Sequence, residues 1–368
     1  MIQPLRTALA LGLALVPATS ALAATDGGSA VEGALYTASN DAAGNAVVAY
    51  RRLLGHLLPL GRFPTGGLGT GEGLGNQGAL ALTEDGARLL VVNAGSDTIS
   101  LFEVHAGGLT LVDVEPSMGV RPVSLTVHGD LVYALNAGGS GGIAGFRMDA
   151  AGLTFLPGSL RALSSDDAGA AQIGFTPDGD LLVVSERFTD RLVTYRLREN
   201  DLPGPARVQA SQGVTPFGFD FDLHGRLLVS EASGGMDGAS TVSSYALAPS
   251  GALTPITSAL GTGQSAACWL VTSPHQPFAF VTNTGSDSVS GLAISARGQL
   301  ALIGGTGDLA PAGDAPIDAG LSREGRFLFV LNGADDTLGS YFVDARGDLV
   351  PLFTTGGLPA AVNGLAVR

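Results

Sequence analysis

The chain has 368 residues, 45% hydrophobic and 14% charged, with 55 Gly and 19 Pro. That composition fills a large core but punctuates it with turns, which favours short strands over long helices. The formal net charge is -14 and all 19 basic residues are arginine, so no nucleic-acid partner is expected, and the lack of lysine excludes Schiff-base chemistry and a P-loop.

Residues 1–23 carry one charge, Arg6, followed by the apolar run "ALALGLALVPA" and then Ala21-Leu22-Ala23, with the small Ala21 and Ala23 at a cleavage site. This predicts a secretory signal peptide cut before Ala24, hence a secreted or periplasmic protein. The run is too short to span a bilayer. No later stretch approaches 18 uninterrupted apolar residues, so no membrane span is expected. Residues 24–30 read as a short flexible N-terminus and residues 31–368 as one domain.

An incomplete unit comes first, "ALYTASNDAAGNAVVAY" at residues 34–50. Six fuller copies follow: "DGARLLVVNAGSDTISLFEV", "HGDLVYALNAGGSGGIAGFRM", "DGDLLVVSERFTDRLVTYRL", "HGRLLVSEASGGMDGASTVSSYAL", "QPFAFVTNTGSDSVSGLAI" and "EGRFLFVLNGADDTLGSYFV". Their anchors, Asn93, Asn136, Ser185, Ser230, Asn283 and Asn332, are spaced 43 to 53 residues apart. Short strands repeating at that period indicate an all-β, seven-bladed β-propeller. Each blade reads as strands A to D, with an Asp-Gly-like A–B turn and a Gly/Pro-rich D–A connection. The first copy lacks strand A, and the closing residues "VNGLAVR" resemble the strand A sequence "NQGALAL". The C-terminal strand is therefore expected to complete the first blade and close the ring, hiding its edges.

In this arrangement the B–C loops and D–A connections share one face, where ligand sites converge on the central channel. All five histidines (56, 105, 128, 224, 275) fall in the A–B and C–D turns of the opposite face. His-assisted catalysis and His-ligated zinc therefore lose their main residue. The B–C loops open on Asn93, Asn136, Glu186, Glu231, Asn283 and Asn332, and the D–A connections offer Gln77, Arg121 and Gln172. The recurring asparagines suit a structural turn with glycine at positive φ, and they also stand as candidate ligand-binding groups with Arg121, Arg187 and Gln172. Glu186 and Glu231 occupy equivalent places in adjacent blades. Their carboxylates could work as acid and base, bind Ca²⁺ with Asn oxygens, or anchor an arginine, with Arg187, Arg121 and Asp190 near enough to pair. No other cofactor and no metal site are expected, and Cys268, without a disulfide partner, reads as buried.

The stretches "FTPDGDLLVVSERFTDRLVTYRL" and "GFDFDLHGRLLVSEASGG" and the closing blade resemble the lactonase-type seven-bladed propellers, a family that includes phosphogluconolactonases and carboxymuconate-lactonizing enzymes. The resemblance covers the mature chain. It implies a site with a histidine where this chain has Ala171, beside the retained Gln172. It implies an arginine and a histidine in a segment that here reads "GVTPFGF", a further arginine where Thr284 stands, and a glutamate matched by Glu231. Phosphorylated-sugar activity is therefore not expected. Two functions are carried forward: a non-catalytic, monomeric propeller that binds a small ligand or protein partner on the B–C/D–A face, and a divergent lactone hydrolase or isomerase using Glu231 and Glu186 as acid and base.

Overall fold

A computed structural model describes residues 32–368; the predicted signal peptide and the stretch to residue 30 lie outside the described residues. The described chain is strands, turns and two short 3-10 turns, arranged as seven sheets. Among the described residues no helix is long and apolar enough to cross a membrane.

The innermost strands A of blades 2 to 7 are Leu80–Leu82, Val120–His128, Ala170–Phe175, Pro216–Phe221, Ala267–Thr272 and Pro316–Leu321. Strand A of blade 1 comes from the far end of the chain: Asn363–Val367 pairs antiparallel with Glu32–Ala38, matching Val367 to Leu35 and Ala366 to Tyr36. Each strand A touches the strands A of both neighbouring blades, so the seven form a closed circle, and the C-terminal closure expected from "VNGLAVR" is present.

The second strands explain why the repeat is legible. Strands B such as Leu181–Glu186, Phe278–Asn283 and Phe327–Asn332 are buried along their whole length. A blade is covered on both faces by its neighbours, so its inner strands read as continuous apolar runs rather than alternating ones. Outer strands are less regular. Strand D of blade 6 stops at Leu302 and resumes as Ala310–Pro311, because Gly304, Gly305 and Gly307 between them take positive φ.

Strand A of blades 3 to 7 carries a register shift near its start, between Pro122 and Ser124, Ala170 and Gln172, Pro216 and Phe219, Ala267 and Trp269, and Pro316 and Asp318. A bulge inserts a residue and re-aims side chains. Here it lies at the B–C/D–A end of the channel.

Candidate functional site

Four of these bulges turn Ala171, Phe217, Cys268 and Ile317 into one apolar cluster with Trp269 and Ala232 at the B–C/D–A mouth. The Phe217 and Trp269 rings pack at 5.0 Å between centroids. Burial pushes the Cys268 thiol up to about 12, so at neutral pH it is a small apolar group and not a nucleophile.

Below that floor the channel is crossed. The D–A connection from blade 1 to blade 2 dips inward, and Trp269 of blade 6 donates its indole N–H to Asn76 O at 2.7 Å. Gln77 donates its amide to Leu270 O at 2.8 Å. The opposite end of the channel opens into a separate cavity of about 360 Å³ lined by Glu84, Thr272, Arg323 and Arg368.

Arg187 lies over the floor. Its guanidinium stacks 5.2 Å from the centroids of both Phe188 and Phe217, and Nε donates to Gly169 O at 3.1 Å. The side chain reaches to Gly75, where a Cβ would fall 2.7 Å from its terminal nitrogen. Among the described residues no carboxylate forms an ion pair with Arg187 or Arg121. Burial pulls the Arg187 pKa below the ordinary guanidinium value; neighbouring Cys268 acts in the opposite sense and Arg121 in the same sense. The structure thus brings these two predicted arginines into electrostatic range of each other.

The two glutamates sit elsewhere. Glu186 is fully buried and accepts from Ser164 N at 2.9 Å, from the Ser164 hydroxyl, and from Thr189 Oγ1 at 2.8 Å. Glu231, also fully buried, accepts from Ser211 Oγ at 3.0 Å, Gly213 N at 2.8 Å and the Thr241 hydroxyl. Each carboxylate points into the seam before its own blade and ties the incoming D–A connection to the blade. Among the described residues they share no partner, and neither holds an arginine. Asp190 accepts from Thr215 N at 2.7 Å and takes no arginine either.

The asparagines fill the same station. Asn136 accepts from Ser117 Oγ at 2.7 Å and donates to Ser117 O at 3.1 Å, on the wall of a groove of about 370 Å³ beside Met118 and Val120. Asn93 accepts from Asn45 at 3.0 Å and donates to Ser100 Oγ at 2.8 Å. Asn283 and Asn332 donate to Ser288 at 3.1 Å and Thr337 at 2.9 Å on their strands C. Gln172 has its amide on the Phe219 backbone, donating at 2.9 Å and accepting at 2.7 Å. No group of three or more His, Cys, Asp or Glu gathers as a metal-ligand set among the described residues, which leaves the Ca²⁺ expectation without a ligand cluster. Sequence reasoning missed Phe188, Phe217 and Trp269 as site residues. The available signal was their position, beside a bulge or a B–C loop in the segments where a family site residue is implied.

The family described as "Lactonase, 7-bladed beta-propeller" matches residues 34–155 and 150–268. Among curated proteins none matches in sequence. Similar solved structures include a Bacteroides fragilis protein described as a candidate 6-phosphogluconolactonase, at 18% identity and TM-score 0.74, covering 92% of this chain and 98% of that one. A periplasmic gluconolactonase of Pseudomonas aeruginosa superposes at 19% identity and TM-score 0.73, covering 92% and 99%. At these identities the likeness concerns the fold.

Proposed function

The chain belongs to the seven-bladed β-propeller lactonase family, and from that premise we propose that it is a binding member, which takes up a small organic anion at the channel mouth on the guanidinium groups of Arg187 and Arg121. It works as a monomer, without a metal. The observation that carries this reading is Arg187: a half-buried cation, in a chain of net charge -14, with no carboxylate partner among the described residues. Partial withdrawal from water disfavours the charged form, and among the described residues the only hydrogen bond of this guanidinium is Nε to Gly169 O, beside its two ring stacks. A bound anion would supply the missing partner with charge-assisted, bidentate hydrogen bonds. A secreted or periplasmic location goes with this reading, supported by the signal-like residues 1–23 and by the periplasmic neighbour.

Acid–base opening of a lactone by Glu231 and Glu186 has one point in its favour, the match of Glu231 to the family's glutamate. Against it stand the hydrogen bonds that engage both carboxylates inside the blade seams. A general base must reach the proton it removes.

Calorimetric titration with monocarboxylates and lactones tests the choice. Arg187→Gln should abolish anion binding in a protein that still folds, although its two ring stacks and the Gly169 hydrogen bond are lost. Glu231→Gln should lower stability by about 1–3 kcal/mol and leave the anion affinity of the folded protein unchanged. Lactone turnover that Glu231→Gln removes would overturn the binding reading.

A further inference from the structure

The buried polar side chains nearest the axis at the mouth are engaged by the protein itself. Gln77 has both ends of its amide on the Leu270 backbone, and Gln172 has both of its own on Phe219. Trp269 donates to Asn76 O, Thr284 donates to Pro316 O, and Ser185 donates to Phe217 O. Asn76 Oδ1, Asn283 Oδ1 and Asn332 Oδ1 have no partner among the described residues, but all three are sealed from solvent. Arg187 stays partly exposed and Arg121 exposed at this face, with Arg187 lying against the buried cluster of Ala171, Phe217, Cys268 and Trp269.

The rim has the same character. Phe188 is 66% exposed, and Met118, Val120, Val214 and Met236 on the same face are 42 to 62% exposed. Exposed large apolar side chains on one face mark a candidate ligand or partner surface. Ala171 and Phe217 stand in the segments for which the family resemblance implies a histidine and an arginine, so two places for polar chemistry are apolar here.

We infer that the ligand is a carboxylic acid with an apolar, ring-bearing body and not a polyhydroxylated sugar acid; the inference rests on the anion-binding reading above. The hydroxyls of a sugar acid gain nothing from the exposed Phe188 side chain beside Arg187, whereas an apolar body buries area against it. A ring meets the exposed Phe188 side chain, where offset stacking adds to burial. The carboxylate takes the Arg187 edge, whose two terminal N–H directions match its planar oxygens.

Two monoanions of equal charge separate the possibilities: 3-phenylpropionate and gluconate, titrated at one ionic strength into the parent protein, Arg187→Gln and Phe188→Ala. Binding is read by calorimetry and by the emission of Trp269, the single tryptophan. The expected result is 3-phenylpropionate at least about tenfold tighter than gluconate, with affinity lost in Arg187→Gln and reduced several-fold in Phe188→Ala, an exposed position whose change leaves the core intact. Gluconate binding as tightly or more tightly, and still dependent on Arg187, would overturn the apolar-ligand inference while sparing the anion site. Failure of both acids to bind in an Arg187-dependent way would overturn the anion site itself.

Discussion

Gln77 and Leu270 stand 193 residues apart and in non-adjacent blades, yet the Gln77 amide donates to Leu270 O at 2.8 Å and accepts from Leu270 N at 3.2 Å. The pair ties the approach to blade 2 to the innermost strand of blade 6 across the axis. Gly218 makes room for it: a Cβ there would fall 2.1 Å from Gln77 Oε1 and 2.6 Å from Cys268 O.

This cross-axis tie predicts that Gln77→Ala lowers unfolding free energy by about 1–3 kcal/mol through the loss of two buried hydrogen bonds. Gly218→Ala, which pushes the amide aside, should cost about 1–3 kcal/mol by overpacking. Both should shift the emission of Trp269 to the red, since its indole donates to the residue next to Gln77. Unchanged stability and emission in both variants would show that the tie contributes nothing.

Asp318, only 2% exposed, accepts from Ala319 N at 2.8 Å, and burial pushes its carboxyl well above the usual carboxylate range, the amides of Ala319 and Leu365 opposing. The folded protein therefore keeps this proton at pH values where the unfolded chain, titrating at about 4, has released it. Stability from this group is full below the unfolded value and falls as pH climbs toward the folded one. Asp318→Asn should accordingly gain on the parent protein in urea midpoint as pH rises from about 4. A difference between the two that stays constant with pH would contradict this.

Removal of residues 362–368 should open the ring. Leu365 and Val367 pack against the seventh blade's cluster and Val362 is buried within it, so about 3 kcal/mol or more of apolar burial is lost. The edge of Glu32–Ala38 is also left unpaired. Expected are a clearly lower melting temperature and concentration-dependent aggregation; a truncated protein that melts with the parent and stays monodisperse would count against the closure.

The ring was legible because its inner strands obey one local rule. Runs such as "LLVV" and "FLFV" lie between blades, and the Asp-Gly turns mark their ends. The closing strand was legible from its likeness to "NQGALAL". Orientation was not. Glu186 and Glu231 fall where the repeat places a B–C loop, but whether a carboxylate faces the axis or a seam is decided by Ser164, Ser211 and Gly213. Those residues lie in connections that do not repeat. The apolar floor depends on one-residue bulges, and the Gln77–Leu270 bridge on a contact with no local periodicity, so neither leaves a trace in residue spacing.

The bridge under the mouth makes this propeller a cul-de-sac. A ligand bound above Trp269, as proposed, would leave by the opening through which it entered, since Asn76 and Gln77 cross the channel beneath it. Under that proposal admission and release would be one diffusional event run in two directions, with a departing molecule competing with the next arrival for the same threshold.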